Sequence, residues 1–178
     1  MSAVRTWQAV LVGILGCVAL AARAAAVRGA PLVDLAIGIV GVTAAVPATT
    51  DRPSAWPRWA AAVALGVATL AAGRVLMPVH PPHLRFSAWG VAVLMVASVA
   101  EEAFFRRWLY GWLATGGLTL ALVGTAVAFA AVHVPAYGVR ALPIDFAAGL
   151  LFGWQRAATG GWTAPAVTHM AANLLQVG

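Results

Sequence analysis

The chain consists of long apolar runs separated by short polar, glycine-containing or proline-containing segments. A helix needs about 20 mostly apolar residues to cross a bilayer. The continuous runs therefore predict transmembrane α-helices. Seven candidate spans follow one another at 7–26, 31–48, 56–77, 86–113, 118–134, 142–158 and 162–177.

Helix-breaking residues mark the ends of several spans. Pro135 is predicted to end the fifth span, because proline removes a backbone donor. Gly116-Gly117 is predicted to form the turn between the fourth and fifth spans, and Gly160-Gly161 the turn between the sixth and seventh. Asp145 is expected to cap the start of the sixth helix. His80 and His83 lie in a proline-rich stretch and are expected to be loop residues.

Composition narrows the class of protein. Of 178 residues, 62% are hydrophobic and 9% are charged, whereas soluble domains carry about 25% charged residues. The expected fold is all-α, a polytopic transmembrane helical bundle of about seven spans, forming a single membrane-embedded domain over residues 1–178 with a polar site inside its core. The expected location is a prokaryotic cell membrane, crossed several times.

Eleven arginines against five acidic residues give a net charge of +6, and apart from Arg106 and Arg107 the arginines stand singly between apolar runs. Such charges flank membrane helices and contact lipid headgroups. We therefore expect the lipid bilayer as a partner and no nucleic acid.

Three short polar motifs interrupt the apolar runs. They are Glu101-Glu102-Ala103-Phe104-Phe105-Arg106, Phe129-Ala130-Ala131-Val132-His133 and His169-Met170-Ala171-Ala172-Asn173. Burying an ionisable side chain in a membrane costs free energy, so such residues indicate a functional site.

The first motif combines an ion pair with a second acid. Glu102 and Arg106 are four residues apart with the acid first, which favours a facing pair on one helix. Glu101 is offset by about 100° and points elsewhere. A carboxylate without its own counter-ion at that spacing is suited to take and give protons. The alternative is a charge cluster at a helix end.

The other two motifs each place two groups one helical turn apart. Phe129 can pack against a ring or a site wall, and His133 can position a water molecule. His169 and Asn173 share a face and can form an oxyanion hole. They can equally hydrogen-bond to a neighbouring helix and hold the bundle together.

Together the motifs supply the groups needed to hydrolyse an acyl bond with water. Glu101 would take the proton from water, His133 would position it, and His169 with Asn173 would stabilise the oxyanion. We expect no cofactor and no metal. Zinc stays open as an alternative, since two histidines and a glutamate can hold it.

In order and spacing, the three motifs resemble those of the CPBP intramembrane proteases, also called the type II CAAX prenyl endopeptidase or Abi family. The stretches 146–154 and 159–162 resemble the family's approach to its last motif. The likeness covers 86–176. It indicates a CPBP-like catalytic core at 86–178, preceded by accessory N-terminal helices at 1–85.

The resemblance implies an intramembrane endopeptidase, a hydrolase that cleaves a peptide or membrane-protein substrate with a glutamate-activated water. It implies catalytic roles for Glu101, His133, His169 and Asn173, and supporting roles for Glu102, Arg106 and Phe129. Arg107 departs from the pattern, because the family often has glycine there. This arginine would crowd the helix or add a headgroup anchor.

Two other functions remain open. One is a non-catalytic membrane interaction protein of the same fold, such as a bacteriocin-immunity protein. The other is a small transporter or proton relay, since intramembrane acids and histidines also serve that purpose. The chain contains no inverted repeat of the kind that many transporters show.

Overall fold

The computed structural model describes residues 3–25, 31–43, 52–76 and 87–175. Within these ranges the chain forms helices and contains no strand, which confirms the all-α prediction. The elements are α1 (Ala3–Ala25), α2 (Pro31–Thr43), α3 (Trp56–Leu76), α4 (Ala88–Glu102), a π-helical segment (Ala103–Leu109), α5 (Tyr110–Leu113), a 3₁₀ turn (Ala114–Gly116), α6 (Leu118–Tyr137), a second 3₁₀ turn (Val139–Ala141), α7 (Leu142–Thr159) and α8 (Thr163–Leu174).

Three of these helices are long and apolar enough to cross a membrane. They are Trp56–Leu76, the continuous helix Ala88–Gly116 and Leu118–Tyr137. A helical membrane bundle agrees with this finding. The larger number of spans, about seven, remains a prediction from the sequence.

The fifth predicted span continues past its expected end. Helix α6 runs through Pro135 to Tyr137 and stops at Gly138, whose φ of +75° favours glycine. The prediction that Pro135 ends the helix is therefore wrong. A proline this close to the C-terminus removes one backbone hydrogen bond but leaves almost no helix beyond it to disrupt.

Close backbone contacts fix α2 and α7 against their neighbours. A Cβ at Gly41 of α2 would overlap the backbone carbonyl group of Ala103 in the π-helical segment. A Cβ at Gly149 of α7 would lie 2.8 Å from the Cα of Ala126 in α6. Small residues at helix contacts allow such approach, as is usual in membrane bundles.

The π-helical segment lies at the centre of the apolar core. Phe104, Phe105 and Trp108 are buried there, together with Leu20 of α1 and Ile37 of α2. The first two helices therefore pack against the same core as the polar motifs.

A buried arginine of α7 donates a hydrogen bond to one backbone carbonyl of the π-helical segment. A π turn replaces the i→i+4 bonds of an α-helix with wider i→i+5 bonds, and such turns often occur at functional sites. Arg156 of α7 donates from Nε to the carbonyl of Arg106 at 2.8 Å, and its guanidinium lies 5.2 Å from the ring centre of Tyr110. This contact joins α7 to the helix that carries the first motif.

A second buried polar side chain ties three helices together. Gln155 of α7 donates from Nε2 to the carbonyl of Ala62 in α3 at 2.7 Å and to Thr168 Oγ1 in α8 at 2.8 Å. A Cβ at Gly66 would overlap the Gln155 amide, so glycine is needed at that position. These bonds hold α8, which carries the last motif, at a fixed depth beside α7.

Candidate active site

The carboxylate of Glu101 faces the imidazole of His133. Glu101 lies at the end of α4 and His133 near the end of α6, and both are largely buried, with side-chain exposures of 4% and 12%. Glu101 Oε2 and His133 Nε2 are 3.6 Å apart. That distance is long for a direct hydrogen bond and suits an ion pair or a bridging water molecule.

The other ring nitrogen of His133 is held by its own helix. Nδ1 lies 2.7 Å from the carbonyl oxygen of Phe129. A carbonyl can only accept, so Nδ1 carries a proton and donates it there. Nε2 is therefore the nitrogen that faces Glu101, and Phe129 sets the orientation of the ring through both its carbonyl and its side chain, whose centre is 4.5 Å from the imidazole.

Glu102 points away from His133 and binds two other side chains. Its Oε1 accepts from Arg106 Nη1 at 3.1 Å and lies 2.9 Å from His169 Nδ1. The Arg106 contact is the i,i+4 ion pair that the spacing of the first motif predicts. The His169 contact fixes the imidazole so that Nε2 is the nitrogen left for other partners.

Arg106 is completely buried and surrounded by aromatic rings. Its guanidinium carbon lies 4.6 Å from the ring centre of Phe129 and 5.1 Å from that of Phe152. Its Nη2 donates to the carbonyl of Gly149 in α7 at 3.1 Å. Cation–π contacts and charge-assisted hydrogen bonds together replace the water that this cation loses on burial.

The same two phenylalanines form walls around His169. Phe152 stacks on the imidazole with ring centres 5.1 Å apart, and Phe129 meets it edge to face at 5.7 Å. Because Phe129 contacts both imidazoles and Arg106, it connects the Glu101–His133 pair with the Glu102–His169 pair. The supporting role of Phe129 stays a prediction.

Asn173 lies one turn beyond His169 on α8 and also bonds to α4. Its Nδ2 donates to Ser98 Oγ at 2.8 Å, and Ser98 Oγ in turn donates to the carbonyl of Leu94 at 2.9 Å. His169 and Asn173 thus each hydrogen-bond to a neighbouring helix, as the bundle-holding alternative predicts. The Asn173 amide keeps a second N–H, so this contact leaves a further donor available.

The sequence did not predict the hydrogen bond between Ser98 and Asn173. Substitution of Ser98 tests how much this bond contributes to stability. Replacing Ser98 with alanine should lower the free energy of unfolding in detergent by about 1–2 kcal/mol, because the Asn173 amide loses its buried acceptor. Thr69→Ala is a matched control, since Thr69 Oγ1 only bonds back to Leu65 of its own helix. Equal effects of the two substitutions would show that the bond between α4 and α8 adds no stability.

Two further residues occupy unexpected places. Asp145 is not a helix cap: the N-cap of α7 is Ala141, and no side chain caps the helix. That expectation was wrong, because the helix begins four residues earlier than a cap at Asp145 requires. Arg107 is half-buried and donates to the carbonyl of Gly41 at 3.0 Å, so it joins two helices.

The histidines at positions 80 and 83 lie outside the described residues. Among the residues that the structure does describe, no three His, Cys, Asp or Glu side chains are arranged to hold a metal ion. The zinc alternative therefore finds no matching ligand set in this part of the chain.

The chain matches a family of known proteins. The family model described as "Type II CAAX prenyl endopeptidase Rce1-like" matches residues 83–175, which is more than half of the chain and includes all three polar motifs. No curated protein and no solved structure matches.

Proposed function

Because the chain belongs to the Rce1-like family of type II CAAX prenyl endopeptidases, we propose that it is an intramembrane endopeptidase that cleaves a peptide bond with a water molecule activated by Glu101. The observation that carries this proposal is the Glu101–His133 pair, in which a buried carboxylate and an imidazole face each other at a separation that a water molecule can bridge.

The proposed reaction begins at the water molecule between these two groups. Glu101 accepts one proton from the water, and the water oxygen bonds to the carbonyl carbon of the substrate. The electron pair of the C=O bond moves to the oxygen, which becomes an oxyanion. Glu101 then gives the proton to the leaving nitrogen as the C–N bond breaks, leaving a carboxylic acid and an amine.

The developing oxyanion requires hydrogen-bond donors. We assign this role to His169 Nε2 and to the second N–H of Asn173. His169 donates from Nε2 only when both ring nitrogens are protonated, and Glu102 supplies the counter-charge for that form at 2.9 Å. The contacts to Glu102 and Ser98 orient the two donors in advance.

Glu102 and Arg106 support this arrangement without contacting the substrate. Arg106 compensates the charge of Glu102 and bonds to α7 through Gly149. Their pair fixes the end of α4, from which Glu101 projects. Residues 86–178 would then be the catalytic core, and the preceding helices would stabilise it.

The substrate class follows from the surroundings of the site. Phe129 and Phe152 border the two imidazoles, so we propose an apolar peptide or a membrane-protein segment that enters from the bilayer. The family is described as a CAAX prenyl endopeptidase, so a prenylated CAAX peptide is one candidate substrate; an apolar segment without a prenyl group presents similar surface. Both kinds of substrate belong in the test.

The proposal is tested with purified protein in detergent or nanodiscs and two sets of probe peptides, farnesylated CAAX peptides and unmodified apolar peptides. Incubation in H₂¹⁸O, followed by mass spectrometry, should show one ¹⁸O atom in the new C-terminal carboxyl group of the product. If neither peptide set nor a membrane proteome is cleaved, while deletion of the protein still produces a cellular phenotype, the non-catalytic interaction function replaces this proposal.

A further inference from the structure

Asp145 lies on the face of α7 that borders the active site. Gly149 and Phe152, which follow Asp145 by four and seven residues, lie on the same face of the helix. Gly149 accepts the hydrogen bond from Arg106, and Phe152 stacks on His169. Since α6 and α7 form an antiparallel pair joined by a short turn, Asp145 is near the end of α6 that carries His133. None of the three motifs contains this aspartate.

The charges near Asp145 are those of the active site. Its carboxylate interacts electrostatically with His133 on α6, Glu101 on α4 and His169 on α8. Its Oδ2 is buried and makes no hydrogen bond to any residue in the described ranges. Burial is the largest influence on this carboxyl group and disfavours its charged form, as does the like charge of Glu101, whereas His133 and His169 favour the charged form.

The reaction creates a need for such a second carboxylate. The His133 proton on Nδ1 is committed to the Phe129 carbonyl. When Nε2 is also protonated, the imidazolium has Glu101 as its counter-ion. Once Glu101 accepts the proton from water it becomes neutral, and a positive charge on His133 would then be left without compensation in a medium of low dielectric constant.

We propose that Asp145 is a positioning residue that keeps a negative charge beside His133 throughout the reaction, so that Glu101 can become neutral without displacing the imidazolium. Asp145 itself exchanges no proton or electron; the proton moves between water, Glu101 and the leaving nitrogen. This role rests on the proposed function, since it acts through the Glu101–His133 pair.

A purely structural role makes a different prediction. An acid in the first turn of a helix stabilises the helix dipole. In that case, replacing Asp145 would lower the stability of the protein and leave the turnover number of the folded fraction unchanged. Kinetics and stability therefore separate the two roles.

The kinetic test compares Asp145→Asn and Asp145→Glu in the full chain, using the peptide on which the wild-type protein is most active. Asp145→Asn should lower kcat about 10- to 100-fold, with KM and the unfolding midpoint nearly unchanged. Asp145→Glu should recover most of kcat, because it restores the charge. Asp51→Asn removes one negative charge outside the three motifs and is the matched control.

A second measurement does not depend on cleavage. In protein labelled with ¹⁵N-histidine and held at constant pH, Asp145→Asn should move the ring nitrogen signals of His133, while those of His80 and His83 serve as internal references. An unmoved His133 signal, or an unchanged kcat in an active enzyme, overturns the role of Asp145 and leaves the proposed function standing. A wild-type protein that cleaves nothing overturns the proposed function and the role of Asp145 with it.

Discussion

Replacing Glu101 with glutamine should reduce peptide cleavage by about 10²- to 10⁴-fold, the usual contribution of a general base. Glutamine has nearly the same shape, but its amide cannot accept the proton from water. The loss should appear in kcat more than in KM, because the carboxylate acts on the water rather than on the bound peptide. The measurement is product formation by mass spectrometry at saturating substrate.

The controls for Glu101→Gln distinguish the loss of the proposed catalytic base from a loss of the folded structure. Glu101→Gln and wild type should share the same unfolding midpoint and elution volume in detergent. Asp51→Asn, with the same loss of one charge, should keep full activity. A fully active Glu101→Gln enzyme would remove Glu101 from the role of base and direct attention to Glu102 and Asp145, two other carboxylates near the imidazoles.

Replacing Arg106 with methionine should destabilise the protein by about 3–5 kcal/mol, the cost typical of breaking a buried ion pair by removing one partner. Both Arg106 and Glu102 have no exposed side-chain surface. Without the guanidinium, the Glu102 carboxylate keeps His169 as its partner among the described residues, and the carbonyl of Gly149 loses its donor. Reversible unfolding in mixed detergent micelles measures the change.

A double substitution tests whether the uncompensated charge causes the loss. Arg106→Met combined with Glu102→Gln removes both charges and keeps an amide oxygen for His169, so it should be more stable than Arg106→Met alone. Arg106→Lys should recover only part of the stability, because lysine lacks the planar group that reaches Glu102 and Gly149 together. If Arg106→Met unfolds at the wild-type midpoint, the pair does not hold the core.

The local spacing of the motifs predicted some contacts well. Glu102 and Arg106 stand four residues apart, and helix geometry alone brings them together. The same geometry puts Phe129 beside His133 and separates Glu101 from Glu102. These contacts lie within one helix, so their prediction needs no knowledge of how helices pack.

Contacts between helices were predicted only in part. The motifs indicated that Glu101 and His133 would meet, because both kinds of group are needed in one site. They did not indicate that Glu102 would hold His169, that Ser98 would hold Asn173, or that Arg156 would donate to the carbonyl of Arg106. Partners on different helices depend on crossing angle, depth and rotation, which no residue spacing along the chain encodes directly.

The sequence by itself determined that the chain is helical and apolar and that three motifs place polar groups within the apolar runs, because both properties follow from hydrophobicity and from the period of a helix. Only the tertiary structure decided which side chain faces which. The close contacts at Gly41 and Gly149 set the helices at fixed distances and rotations, and a side chain's partner is determined by those rotations. Asp145 shows the difference: its position in the chain predicted a cap, whereas helix packing places it within electrostatic reach of His133, Glu101 and His169.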